Sequence, residues 1–210
     1  MNEPEEGGLE RGAELERTLF FSDGVFAIAI TLPVLDIRLP GPRTQELSSA
    51  LLEELWPDFY SFLISFWFVG TFWMAHHRVF HYIRGYDRGL HLINLFFLMW
   101  IVLLPFSSTL LGQYEDQRLA VILYAAHVAI IGLALACVWE YASRRPHLMD
   151  RRLVHPREFR YNELLALAVP LVFALSIGVS FVSVRAAELT WLLAFFIRPA
   201  LLWIVRRSAD

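Results

Sequence analysis

The sequence predicts an all-α integral membrane protein with six transmembrane helices. Three observations predict it. Hydrophobic residues make up 57% of the 210 residues and charged residues 19%, where a soluble domain carries about 25% charge. The apolar residues gather into six runs, each near the roughly 20 residues that cross about 30 Å of hydrocarbon. None of the runs alternates strictly as a membrane β-barrel strand does, so helices satisfy these backbones in lipid. This composition excludes a disordered chain, a strongly basic nucleic-acid binder and an ordinary soluble enzyme. The single Cys137 excludes an internal disulfide framework and a multi-cysteine metal site.

Each element follows in order. Residues 1–16 form an acidic N-tail with Glu3, Glu5, Glu6, Glu10, Glu14 and Glu16. That charge, and the lack of an A-x-A-like site, argue against a cleavable signal peptide. The first span is Leu19–Ile37, and Pro40, Gly41 and Pro42 stop it. The second is Phe59–Ala75, with Pro57 suited to a first helical turn. Then come Leu92–Leu111, Leu119–Trp139, Leu164–Val184 and Leu189–Val205. Spans two to five contain no Asp, Glu or Arg, whereas the first holds Asp23 and Asp36 and the sixth holds Arg198. Arg144-Arg145-Pro146 closes the fourth span, and part of the long basic loop after it is expected to be an amphipathic surface helix. Trp56, Trp191 and Trp203 are expected in interfacial belts. Residues 17–207 then form one six-helix domain.

Orientation follows from arginine alone, because the chain has no lysine. Thirteen arginines fall in the N-tail, the second and fourth loops and the C-tail, and four (Arg38, Arg43, Arg118, Arg185) on the other side. The positive-inside rule makes the first side cytoplasmic. Both termini are then expected inside.

The first helix is the unusual one. An intramembrane carboxylate is expensive and marks a functional-site hypothesis, and Asp23 sits about one turn inside this span. At about 100° per residue, Leu32 and Leu35 fall within roughly 40° of Ile28, with Thr31 about 60° to one side and Asp23 about 140° away. The stripe and the carboxylate therefore face different environments. Either the stripe faces a pore axis and Asp23 the protein's own packing, or Asp23 faces water and the stripe lipid. On pattern alone the second is favoured. Pro33 removes the bond to the Ala29 carbonyl and is expected to bend the helix.

The segment Arg17-x-x-x-Phe21-Ser22-Asp23, followed by Gly24-Val25-Phe26-Ala27-Ile28-Ala29-Ile30-Thr31-Leu32, resembles the first helix of the transmembrane protein 175 family. That family comprises lysosomal potassium channels of animals and shorter prokaryotic relatives. Trp73-Met74-Ala75-His76-His77-Arg78 is similar to its second helix. Asn94, Leu104-Pro105-Phe106-Ser107 and Gly112-Gln113-Tyr114 are similar to its third helix and the turn beyond. The motifs cover roughly the first 115 residues. The resemblance implies a homotetramer in a cell membrane, with helix one of each subunit lining a pore that lacks a carbonyl filter. It places the constriction on Ile28, Leu32 and Leu35 and the selectivity hydroxyl on Thr31. It has Arg17, Phe21, Ser22 and Asp23 brace helix one against helices two and three through Trp73, His76 and Asn94. It implies passive potassium conduction, modestly selective over sodium, with no cofactor and no obligate small-molecule substrate. Family members often carry leucine where this chain has Pro33, which weakens the assignment of Leu35.

Other readings compete. His77 and His81, at i and i+4 with His76 and His91 near, have a spacing that holds a metal or haem, but interfacial histidines read the same way. His127 reads as a buried hydrogen-bonding residue. A secondary transporter, proton-coupled through Asp23, is the main alternative; Pro33 and Pro170 fall at different places in the two halves, so a repeat signal is weak. An enzyme is the poorest reading, with no G-x-S-x-G, no H-E-x-x-H and no pair of intramembrane aspartates.

Overall fold

A computed structural model describes residues 3–38, 55–114, 116–149, 154–194 and 196. These form six α-helices and no strand: α1 (Glu3–Thr31), α2 (Trp56–His81), α3 (Arg88–Gln113), α4 (Arg118–Ser143), α5 (Pro156–Ser180) and α6 (Val184–Trp191). A 3₁₀ segment, Leu32–Asp36, continues α1. Four stretches are long and apolar enough to cross a bilayer: Gly12–Asp36, Arg88–Gln113, Arg118–Ser143 and Glu158–Ser180. The 26-residue α2 is also long enough at 1.5 Å per residue, with Ser61, Ser65, Thr71 and three histidines diluting its aliphatic content. Most of the expected sixth span, including Arg198 and Trp203, lies outside the described residues.

Neighbours in sequence pack in space. α1 lies on α2 and α3, α3 on α4, and α4 on α5 and α6. α4 is the central helix, burying Val121, Tyr124, Val128 and Ile131 in the main core and Val138 in a second cluster. Two glycines permit the closest crossings. A Cβ at Gly112 of α3 would stand 2.8 Å from the Pro57 carbonyl oxygen of α2, and one at Gly132 of α4 would stand 2.8 Å from the Pro170 ring of α5. Small residues at such crossings let backbones approach where apolar area gives little drive to associate.

The boundaries differ from the expected ones in three places. α1 begins at Glu3, so the acidic tail is continuous with the first span. At Pro33 the α-helix ends at Thr31 and tightens into 3₁₀ geometry, because the residue before a proline disfavours α-helical backbone. α5 begins at Pro156 and takes up the end of the basic loop, and the backbone then breaks at 181–183, inside the expected fifth span. Ser183 caps the N-terminus of α6 by accepting from the Ala186 N–H. The belt assignment of Trp191 is corrected. It is 7% exposed, donates from Nε1 to Ser176 Oγ at 3.0 Å and packs on Phe173 and Tyr124.

The α2–α3 loop clasps the end of α4. The N–H groups of Arg84 and Gly85 both donate to the Leu148 carbonyl. Asp87 caps α3 by accepting from the Leu90 N–H at 2.7 Å; it also accepts from Tyr141 and pairs with His147 at 3.0 Å. Burial alone would raise the Asp87 carboxyl pKa, but the Leu90, His147 and Tyr141 hydrogen bonds outweigh it and hold the value below 3.8.

Candidate functional site on the first helix

Two stripes divide α1. The inner one runs Leu15, Thr18, Ser22, Phe26 and Ala29, then Pro33 of the 3₁₀ turn, all buried. Its spacing of three and four residues is that of one helical face. The outer stripe carries Gly24, Ala27, Ile28 and Thr31. Ile28 is 60% exposed, Leu32 44% and Leu35 71%. In 3₁₀ geometry side chains three apart eclipse, so Leu32 and Leu35 form one column instead of the α-helical fan expected. Thr31 is exposed, and its hydroxyl donates back to the Ala27 and Ile28 carbonyls at 2.8 and 3.1 Å. Its proton is thus engaged by its own helix, and the oxygen lone pairs are left to face outward.

Behind the inner stripe lies a buried polar chain with one direction. The Asn94 side chain donates from Nδ2 to Ser22 Oγ at 2.9 Å, and Ser22 donates to the Thr18 carbonyl at 2.8 Å. Asn94 Oδ1 must then accept, so His76 Nε2, 2.9 Å away, carries the proton and donates. The His76 ring is held flat on Phe97 and against Phe80, with Phe26 at its edge. This chain links one residue from each of α1, α2 and α3. Beside this chain, Trp73 Nε1 donates to Asp23 Oδ1 at 2.9 Å on the exposed flank of α1.

The structure thus joins Ser22, Asn94 and His76, and separately Asp23 and Trp73. It does not bring Arg17 or Phe21 to them. Arg17 pairs with Glu14 at 3.1 Å, and Phe21 is exposed, because both lie off the inner stripe. A second buried histidine is tied differently. His127 of α4 bonds through Nδ1 to Ser107 Oγ at 2.8 Å and through Nε2 to the Trp100 carbonyl at 2.9 Å. Pro105, inside α3, cannot donate to the Ile101 carbonyl.

A bundle of membrane-crossing helices, with one helix cross-linked inward by polar groups and apolar outward, defines a multi-pass membrane protein built to present that helix. The family model described as endosomal/lysosomal potassium channel TMEM175 matches residues 17–105. A potassium channel of Streptomyces collinus is 35% identical, over 81% of this chain and 84% of that one. A potassium channel of Chamaesiphon minutus is also 35% identical, over 81% of this chain and 91% of its own. The crystal structure of a lysosomal potassium-selective channel TMEM175 homolog from Chamaesiphon minutus superposes with a TM-score of 0.76 at 31% identity, covering 90% of this chain and 98% of that one. The chain belongs to the TMEM175 family, a family of ion channels and not of enzymes.

Proposed function

We propose that this chain is a potassium channel of a cell membrane, assembled as a homotetramer around α1, with residues 17–207 as the channel unit and both termini cytoplasmic. The observation that carries the reading is the outer stripe of α1. Ile28, Leu32 and Leu35 are large, apolar and uncovered in the single chain, while relatives covering most of its length bear the name potassium channel. Four copies of Ile28 around an axis make a dry constriction, which gates by dewetting. The Thr31 ring sits one turn further on. Its outward lone pairs replace part of the water an ion sheds. One hydroxyl ring is a weak filter, so selectivity over sodium is modest and conduction is passive. The Ser22–Asn94–His76 chain and the Asp23–Trp73 bond fix the rotation of α1, and so which residues reach the axis.

The test is ion flux into liposomes carrying the purified protein. Ile28→Asn wets the constriction and raises potassium flux; unaltered flux places the constriction elsewhere. Thr31→Ala lowers the potassium-to-sodium ratio; an unchanged reversal potential removes Thr31 from selection. Saturable, proton-coupled uptake in place of linear current overturns the channel reading in favour of a carrier.

A further inference from the structure

The turn at Pro33 does more than end an α-helix. Residues Leu32–Asp36 are 3₁₀, and the Ile37 N–H donates to the Val34 carbonyl, three residues back, at 3.3 Å. A 3₁₀ helix advances about 120° per residue, against about 100° in an α-helix. The difference accumulates along the segment. It turns each side chain away from the direction that an unbroken α1 would give it.

Directions can be measured from Ile28. On the α-helical part Thr31 lies at about −60°, and the buried Ser22, Phe26 and Ala29 at about 100–160°. The face opposite that inner stripe is therefore centred near about −50°. Had the α-helix continued, Leu35 would lie at about −20°, close to this centre, and Val34 at about −120°. In 3₁₀ steps from Thr31, Leu32 and Leu35 both fall at about +60°, Pro33 at about 180° and Val34 at about −60°. Pro33 is buried and Val34 is 48% exposed, in keeping with these directions. The turn thus exchanges two side chains. Val34 swings about 60° onto the line of Thr31, and Leu35 swings about 80° away from it.

We infer that Pro33 is a positioning residue, which makes Val34 in place of Leu35 the side chain that each subunit presents to the axis beyond Thr31. This rests on the reading of α1 as the pore-lining helix. Valine is one methylene shorter than leucine, so a ring of Val34 leaves this end of the pore wider than a ring of Leu35 would. Ile28 then stands as the narrow apolar layer, the place where dewetting acts. An ion that passes Ile28 and the Thr31 hydroxyls meets a wider passage, where its water returns.

The test places one cysteine at a time, Thr31→Cys, Val34→Cys or Leu35→Cys, in the full chain, with Cys137→Ser removing the one native thiol. Each protein is reconstituted in liposomes, and potassium flux is followed while a charged, water-soluble methanethiosulfonate is added. Val34→Cys loses flux roughly tenfold faster than Leu35→Cys, because the charged reagent reacts where water lines the pore. Adding Pro33→Leu lifts the restriction on the residue before the proline, restores α-helical geometry and reverses the order of the two rates. A merely structural role for Pro33 would lower flux or stability without exchanging them. Equal rates in the Pro33 background, or a faster Leu35→Cys, overturn the inference. So does an order that Pro33→Leu leaves unchanged. If a thermal melt shows that Pro33→Leu does not fold, the ratio of the Val34→Cys and Leu35→Cys rates in the Pro33 background decides alone. Thr31→Cys separates this inference from the reading beneath it. Thr31→Cys modified in full, by mass spectrometry, with flux unchanged overturns the pore reading and this inference with it. Flux blocked at Thr31→Cys, with equal rates at the other two positions, overturns this inference alone.

Discussion

α4 and α1 are both apolar enough to cross a bilayer, yet 56% of the apolar window of α4 is buried and only 28% of that of α1. α4 reaches this with small residues, Ala120, Ala125, Ala134 and Gly132 among them, which let neighbours close in on several sides. α1 has one inner stripe, and its other face is left open. Lipid tails are as apolar as leucine, so apolar area alone holds a membrane helix weakly. The helix with less contact is also cross-linked by side-chain hydrogen bonds, at Ser22 and Asp23. Its rotation is set by chemistry at two points and not by a surrounding jacket, which frees the outer stripe for another duty.

The largest expected effect tests that division. Asn94→Leu leaves the buried His76 donor without an acceptor, at about 2 kcal/mol, while Ser22 keeps its bond to the Thr18 carbonyl. His127→Leu costs less, about 1 kcal/mol, because Ser107 already has the Leu104 carbonyl within 3.0 Å as another acceptor. Denaturant unfolding in mixed micelles reads both. Equal losses would mean that α1 is no more dependent on its polar links than α4.

A pair of glycines sharpens the comparison. Gly112→Ala drives a Cβ onto Pro57 and Ser61 and costs about 2 kcal/mol, within the range of core overpacking. Gly24→Ala meets nothing within 4 Å in the single chain, and helix propensity makes it stabilising by about 0.5 kcal/mol. A Gly24→Ala protein that keeps its unfolding midpoint while its flux or subunit number changes locates a partner on the outer stripe. One unchanged in all three removes Gly24 from any such contact.

The smallest effect is at the clasp. Asp87 is held below its ordinary 3.8 in the folded chain. Its contribution to stability is therefore full above that value, and is lost as pH falls through the lower folded value. Asp87→Asn keeps an oxygen for the Leu90 N–H and loses this slope. Unfolding midpoints between about pH 5 and 2 should converge for the two proteins at the acid end. Parallel curves would show that the clasp does not depend on the charge.

Spans three and four were legible because hydropathy over some 20 residues is a strong signal, and the family motifs were legible because their residues are close together in the chain. The separation of Asp23 from the Ile28 stripe was legible from helical geometry, which requires only a residue count. The inner chain was less so. Ser22, Asn94 and His76 are far apart in sequence, and nothing in their spacing says that Asn94 bridges the other two. Pro33 signalled a disturbance, but sequence alone did not decide between a kink and a tightened turn. The buried Trp191 was missed because a tryptophan near a span end reads as an interfacial anchor, and its Ser176 partner lies on another helix.

The one-directional bond at Ser22 also has a mechanical meaning. α1 is a rod of 29 residues, about 43 Å long, fastened to its neighbours at a point near its far third. Glu3 stands about 28 Å from that fastening and Ile28 about 9 Å beyond it, at 1.5 Å per residue. A rod held so is a lever with arms near three to one. For rigid-body tilting about that point, sideways travel at Glu3 would reach Ile28 reversed in sense and reduced to about a third.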